Sequence, residues 1–539
     1  MMKRMNYNIL ADCRGMYEQD IFETVCEQRG ITDVDHFLNP TEDDMLPLDS
    51  MINIDKAAKQ VVFSRKNYHS IGVLADVDTD GICAGTIMYR YLDDIAARDI
   101  QIFINDGKTH GLMEDTVDRY NDLDLLIIVD SLDSNVEFYK KLTESNVKII
   151  ILDHHAINPD VPYDKYVTLV SSQRDYANPA LSGSGVVWKF CKYLDQYFNT
   201  NYADQYVDLA ATGIVADMMD MTVMENRYIV NQGLHNKCNP AIKKIIGSFE
   251  FNSTAVAFSV APLINAANRM GHNNEALQAF LADDNKEVLK YVKILKKCKE
   301  EQNEEVDRLM PVVLEQCERQ VQNKMIVTYI DTPYGIAGLI ANKLLEKYQR
   351  PILVLKEDDE DDGFYAGSMR ATGLKDFRTF CNDSELASCA GHELAAGIRI
   401  SKFFMDAFIE YVDKELPELD MNVAQDVDIQ ISITDVTRRL VDMIHQLDFI
   451  SGTGFKPVKV YIDDIDEYEI GQMSNYKHLV IKPSNYVQII KWNFTGDFDE
   501  MEDHRMMNDE LAVVGVLDKG FFGRQFVLKV ICDEIREVK

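Results

Sequence analysis

The stretch Ile71-Gly-Val-Leu-Ala-Asp-Val-Asp-Thr-Asp-Gly81 decides how the chain is read. Five apolar residues are followed by three carboxylates at alternate positions, Asp76, Asp78 and Asp80. An unbroken apolar run of this length reads as a strand covered on both faces, as in a parallel sheet. The aspartates then fall at its carboxyl end, the edge where open α/β sheets bind ligands. Carboxylates crowded together repel one another unless cations neutralise them, so hard, oxygen-preferring divalent ions are implied. Taken alone, the stretch reads equally well as an Asx-rich turn before a helix.

The rest of the chain repeats the pattern. Leu125-Leu-Ile-Ile-Val129 runs into Asp130, and Val147-Lys-Ile-Ile-Ile-Leu152 runs into Asp153-His154-His155. Ala211-Thr-Gly-Ile-Val-Ala216 is followed by Asp217. A single His-His pair at a strand end is more often structural than metal-bound. Four acidic or imidazole clusters, three of them at strand ends, suit a shared two-metal site.

These motifs, D-x-D-x-D-G, D, D-H-H and A-D, stand in the order of the DHH phosphoesterase superfamily. The chain resembles its RecJ branch of single-stranded-DNA-specific exonucleases. Leu181-Ser-Gly-Ser-Gly185, Glu225-Asn-Arg227 and Ile264-Asn-Ala-Ala-Asn-Arg-Met270 extend the likeness. Tyr334-Gly-Ile-Ala-Gly338, Gly367-Ser-Met-Arg370 and Gly391-His-Glu-Leu-Ala-Ala-Gly397 resemble the companion DHHA1 domain. The resemblance implies two divalent cations, Mn²⁺ preferred and Mg²⁺ accepted. Asp78 and Asp130 would hold one, and Asp80, Asp130, His154 and Asp217 the other, with Asp130 bridging. Asp76 would assist the first ion or orient its water, and His155 would act on the scissile phosphate or the leaving group. Ser368, Arg370, His392, Arg269 and Lys108 are the implied substrate contacts.

Several positions depart from the family pattern. Leu74 stands where related small phosphatases carry a histidine, a loss shared by RecJ-like members. Asp130-Ser-Leu132 replaces D-x-G, and Ala390-Gly-His392 replaces G-G-H. Lys108-Thr-His-Gly-Leu112 replaces E-G-Y-G, and Asn105 stands where the family has an arginine for the 5′-phosphate.

Length and composition set bounds. The 539 residues suit two to four domains, and 46% hydrophobic residues suffice for real cores. No apolar run reaches about 18 residues, so no transmembrane helix is expected. The N-terminus lacks a signal-peptide core. Ten cysteines without a C-x-x-C pair read as reduced core residues of a cytoplasmic protein. A net charge of −33 opposes a generic nucleic-acid coat, because its field slows the approach of a polyanion.

The predicted architecture is α/β. A helical lead-in (1–50) precedes a doubly wound parallel-sheet DHH domain (51–282) and a long connecting helix (283–320). A smaller α/β DHHA1 domain (321–418) and an OB-like β-barrel (419–539) follow. Lys286, Lys290, Lys293 and Lys297 recur on one helical face, readable as a solvated face or as a track for a phosphate backbone. Trp492, Phe494, Phe521 and Phe522 are core or rim residues of the barrel, or base-stacking platforms. The acidic stretch from Asp497 to Glu510 reads as a loop. The leading function is a 5′→3′ single-stranded-DNA exonuclease, with RNA as the other polymer. The expected protein is a monomer off the membrane, with a single-strand-binding protein as its expected partner. The alternatives are an oligoribonuclease or cyclic-dinucleotide phosphodiesterase of the same superfamily, and an inactive scaffold in a replication or repair complex.

Overall fold

The computed structural model describes residues 7–107, 109–236, 238–358, 361–417, 424–473, 477–494, 496, 498–507, 509–522 and 525–537. It divides into two compact units. One comprises Met1–Phe103, Gly111–Ala261 and Ala424–Lys539; the other comprises Ile104–His110 and Pro262–Val423.

In the first unit a five-stranded sheet runs in the order Ile100–Ile104, Ile71–Ala75, Leu125–Val129, Lys148–Asp153, Thr168–Ser171. The last four strands pair in parallel. Ile71–Ala75 and Leu125–Val129 are buried along their whole length, as their apolar sequences require. Ala75 pairs with Val129, and Val129 with Leu152. Asp76, Asp130 and Asp153 therefore follow at the same edge. Helices Thr79–Asp94, Gly183–Phe198 and Val207–Ala216 deliver further carboxylates and their supports to this edge.

The same unit holds an eight-stranded mixed sheet. Its order is Tyr7–Asp12, Gln425–Gln430, Lys459–Ile465, Leu511–Phe522, Gln525–Glu537, Val487–Lys491, His478–Lys482, Glu469–Met473. Among the described residues no ladder joins the last strand back to the first. The N-terminal lead-in carries the helices Glu18–Gln28 and Val34–Leu38, but it opens on a strand rather than a helix. Tyr7–Asp12 alternates between half-buried and exposed residues and pairs in parallel with Gln425–Gln430. That period of two suits a half-covered edge strand, and its partner lies too far along the chain to be read locally. Phe498–Met507 is a helix rather than a loop. Acids in its first turn and the Arg505–Glu502 pair at 2.6 Å favour that form.

The second unit is built on the helix Asn285–Glu318 and a five-stranded sheet. The sheet order is Ala387–His392, Ala395–Ser401, Phe364–Arg370, Ile352–Glu357, Ile326–Tyr329. Helix Ala337–Tyr348 packs on it. Ile352–Glu357 and Phe364–Arg370 pair antiparallel, and part of the acidic turn between them lies outside the described residues.

A buried ion pair ties the first unit together. Glu225 accepts from Lys189 Nζ (2.5 Å), Tyr176 Oη (2.8 Å), Asn178 Nδ2 (3.0 Å) and the Leu46 amide (3.1 Å). Both charged partners are fully buried, and burial pulls the Lys189 ammonium below its ordinary range. Removing one member of such a pair leaves an uncompensated charge. Glu225→Ala is expected to cost about 3–5 kcal/mol in urea unfolding, while Glu225→Leu combined with Lys189→Met recovers most of it. A single-variant loss under about 1 kcal/mol would show that water relieves the stranded ammonium.

Candidate active site

Asp76, Asp78, Asp80, Asp130, His154, His155 and Asp217 converge at the carboxyl edge of the parallel sheet. Three sets of them bring ligand atoms within 4.8 Å of one another: Asp76, Asp78 and Asp130; Asp80, His154 and Asp217; Asp130, His154 and His155. Each position has a local cause. Asp78 caps the helix Thr79–Asp94 and accepts from the Gly81 amide at 3.0 Å. Asp130 follows its strand in the left-handed region, at φ 59°, and donates its amide to Leu152 O (2.9 Å). Asp217 caps the end of the helix Val207–Ala216.

The supports of Asp80 lie in the Leu181–Gly185 motif. Ser182 Oγ donates to Asp80 Oδ1 at 2.9 Å, and the Ser184 amide stands 3.2 Å from the same oxygen. This amide opens the helix Gly183–Phe198, whose positive end faces the carboxylate. Two glycines permit the approach. A Cβ at Gly183 would fall on the Asp130 carboxylate, and one at Gly213 on Asp80 and Ser184 Oγ. The Leu181–Gly185 pattern is legible in the sequence as a likeness, but not that it holds Asp80.

The two histidines differ. His154 Nε2 stands 3.2 Å from Asp130 Oδ1 and 3.3 Å from Asp217 Oδ2. Burial pushes its pKa down, toward the neutral form that ligates metal. His155 Nδ1 is held 2.8 Å from Asp153 Oδ1, and its amide donates to Asp153 Oδ2 at 3.0 Å. The Asp153 carboxylate raises His155 to about 9. Asp153 itself is fully buried. Its role as the orienter of His155 was not foreseen, although D-H-H contains it.

The carboxylates carry an electrostatic load. Burial first, then Asp80, Asp78 and Asp76, drive Asp130 well above the carboxylate range. Burial, Asp80 and Asp78 raise Asp217 to about 8. Asp130 Oδ1 is buried and accepts no hydrogen bond. Oxygen donors with one imidazole, crowded around an oxygen without a donor, fit a divalent cation.

The expected substrate contacts fall in the second unit. Arg370 donates from Nε to Asn342 Oδ1 (2.8 Å) and from Nη1 to Ser368 Oγ (2.8 Å) and Met369 O (2.7 Å). Burial and the neighbouring Arg370 lower Arg269. Lys299 is lowered by burial, Arg269 and Lys343. Arg269, Lys299, Lys343 and Arg370 thus form a cationic cluster without an ion pair among the described residues, and sequence reasoning missed both lysines. His392 is exposed at the end of its strand. Asn105 is buried, and its carbonyl and that of Gly107 accept from Asn273 Nδ2 at 2.8 and 2.7 Å. Lys108 lies outside the described residues. Lys286, Lys290, Lys293 and Lys297 are exposed on the long helix, Lys297 paired to Glu301 at 2.9 Å. Trp492 and Phe521 are exposed, Phe494 is half-buried, and the Phe522 side chain is not among those described.

A parallel α/β sheet with acidic and imidazole clusters at its carboxyl edge is the architecture of a metal-binding hydrolase. The family model for the DHH family, N-terminal domain, matches residues 70–214. The SPbeta prophage-derived protein YorK of Bacillus subtilis (strain 168), named for single-strand DNA-specific exonuclease activity, is 31% identical over 461 residues. That match covers 78% of each chain. The single-stranded-DNA-specific exonuclease RecJ of the same organism is 26% identical over 79% of this chain and 56% of its own. A solved structure of RecJ with Mn²⁺ from Thermus thermophilus shares the fold at TM-score 0.77 and 20% identity, covering 100% of this chain and 80% of its own. The chain belongs to the DHH family, on its RecJ-like branch.

The raised carboxylates set a pH dependence. A carboxylate whose folded pKa lies above its unfolded value keeps its proton longer when folded, so stability falls as pH rises between the two values. For Asp217 that window runs from about 4 to about 8. The metal-free protein should therefore lose thermal stability across it, and added Mn²⁺ should raise Tm more at pH 8 than at pH 5. Differential scanning calorimetry with and without Mn²⁺ checks this; an increment independent of pH would contradict it.

Proposed function

We propose that this protein is a metal-dependent exonuclease that hydrolyses single-stranded DNA from its 5′ end. The observation that carries the reading is the buried set of carboxylates converging on Asp130, whose Oδ1 accepts no hydrogen bond. Asp78 and Asp130, with Asp76, would hold one cation; Asp80, Asp130, His154 and Asp217 would hold the other. Bound cations would supply an activated water and neutralise charge developing on the phosphoryl group. The imidazole favours Mn²⁺ over Mg²⁺. Both ions occur with RecJ from Thermus thermophilus in solved structures.

The protein's own groups do the rest. His155, held by Asp153 and cationic near neutrality, is suited to contact phosphate or to give a proton from Nε2 to the departing oxygen. The Arg370 guanidinium presents a planar fork for a terminal phosphate. Ser368 fixes one arm of that fork, and Arg269, Lys299 and Lys343 add positive charge. The relatives named for single-strand DNA exonuclease activity support a polymeric DNA substrate. The additional eight-stranded sheet also favours a longer polymer substrate. The complete ligand set disfavours an inactive scaffold.

The ligand roles are separable. Asp130→Ala should bring hydrolysis to background while the protein stays folded. His154→Ala should lose affinity for one ion. His155→Ala should keep both ions and lose about 10²–10⁴-fold in rate. Calorimetric Mn²⁺ titration beside single-turnover assays reads both quantities, and equal metal loss in the two histidine variants would refute the division.

Strand-end recognition should be modest. Asn105 takes the place of an arginine, which leaves Arg370 as the forked grip. Digestion should run 5′→3′ with a preference of about tenfold or less for 5′-phosphate over 5′-hydroxyl, which is about 1.4 kcal/mol. Arg370→Ala should erase the preference. End-labelled single strands with both termini decide it: an absolute phosphate requirement would show another grip, and 3′→5′ products would overturn the polarity.

A further inference from the structure

The motif Glu225-Asn-Arg227 is not consumed by the chemistry above. Glu225 faces the Lys189 network. The Arg227 guanidinium lies 3.6 Å from the Phe37 ring centroid and donates to Phe37 O (2.7 Å) and Ile450 O (3.1 Å). Asn226, between them, is fully buried and reaches two segments that flank the carboxylate cluster. Its Nδ2 donates to Ala180 O at 2.7 Å and to Asp220 O at 3.0 Å. Its Oδ1 accepts from Asn178 Nδ2 at 2.9 Å. Both amide hydrogens and the carbonyl are thus committed.

The two carbonyls are not arbitrary. Ala180 precedes by two residues Ser182, whose hydroxyl holds Asp80. Asp220 follows Asp217 by three residues. The loop behind Asp217 is pinned again at Met221, whose amide donates to Thr453 O at 2.8 Å. The Asp220 side chain takes the Thr222 amide (2.8 Å) and hydroxyl (2.7 Å). Asp80 and Asp217, with His154, must keep ligand atoms within a single coordination span, and they lie within 4.8 Å. Metal sites depend on such outer hydrogen bonds for the orientation of their ligands.

We propose that Asn226 is a positioning residue for the metal pair: one buried amide sets the separation of the Asp80 and Asp217 carboxylates by bridging the turn behind the first to the loop behind the second. The inference rests on the metal assignment above. Replacing Asn226 leaves both ligands in place but frees their supports to move independently. The expected consequence is weaker binding at the Asp80–His154–Asp217 set, with the Asp76–Asp78–Asp130 set little changed.

Direct Mn²⁺ titration by electron paramagnetic resonance, at a temperature well below each Tm, tests this on the full chain. The wild type should bind two ions and Asp217→Ala one; if Asp217→Ala keeps both at wild-type affinity, the metal assignment itself fails. Asn226→Ala should bind the ion that Asp217→Ala loses about 10–100-fold less tightly. Val230→Ala, buried one turn along the same helix, should lower Tm but leave both affinities unchanged. Asn178→Ala, which removes the donor that orients the Asn226 amide, should show a loss of at least about threefold and decides the matter if Asn226→Ala does not fold. Affinities within about twofold of wild type in the folded Asn226 variant, or the same loss in Val230→Ala, overturn the proposal while leaving the metal assignment standing.

Discussion

Mutual repulsion among carboxylates at one sheet edge is the constraint that the first unit is built to resist. Asp76, Asp80 and Asp130 are each nearly sealed from solvent, so water does little to separate their charges. A free chain would spread them apart. The fold prevents this with a left-handed backbone at Asp130, glycines where any Cβ would collide, and a helix N-terminus turned toward Asp80. Strain and charge of this kind persist only where the surroundings over-determine them. A cation bound among these oxygens turns the repulsion into attraction, which makes the arrangement intelligible as a binding site rather than as a defect.

The over-determination extends through hydrogen bonds far from the carboxylates. Helix Met224–His235 carries Glu225, Asn226 and Arg227 in succession, and each faces a different part of the unit. Glu225 gathers Lys189, Tyr176 and Asn178, Asn226 gathers the two supporting loops, and Arg227 reaches the N-terminal Phe37 and the C-terminal Ile450. Ser253 and Ser451 join hydroxyls at 3.2 Å, and Thr453 pairs with the loop after Asp217. The C-terminal strands thus share a compact unit with the catalytic sheet, although composition alone divides them near residue 419.

What the sequence made legible follows from this. The parallel strands are visible because burial on both faces forces unbroken apolar runs, and the carboxylates are visible because charge directly after such a run is costly without a purpose. Asp76, Asp78, Asp80, Asp130, His154, His155 and Asp217 all come together as those signals imply. The supports were not legible. Ser182 caps its helix, accepting from the Gly185 amide at 3.3 Å; nothing local shows that its hydroxyl also reaches Asp80 across about a hundred residues of chain. Tyr7–Asp12 stayed hidden for the same reason, since a six-residue edge strand has little signal beyond its alternation. Asp153 stands in the D-H-H motif itself, but a buried carboxylate that orients a ring leaves no separate trace of that role in the sequence.

The acidic balance of the chain finally becomes compatible with a polyanionic substrate once distance is considered. Charges are screened over about 8 Å at physiological ionic strength, so most of the net charge of −33 acts only on its own neighbourhood. What a strand meets at close range is set by local composition. At the metal edge, divalent ions offset the carboxylates that hold them. In the second unit, Arg269, Lys299, Lys343 and Arg370 gather with Asn342, Ser368 and Gln302 as their neutral hydrogen-bonding neighbours. These cations, with no ion pair among the described residues, repel one another much as the aspartates do, with the opposite sign. Each unit therefore carries a charge frustration of its own, the second unit's open to relief by an anion and the first unit's by a metal cation. An acidic protein can act on nucleic acid in this way, provided its attraction is confined to the places where phosphate must stop.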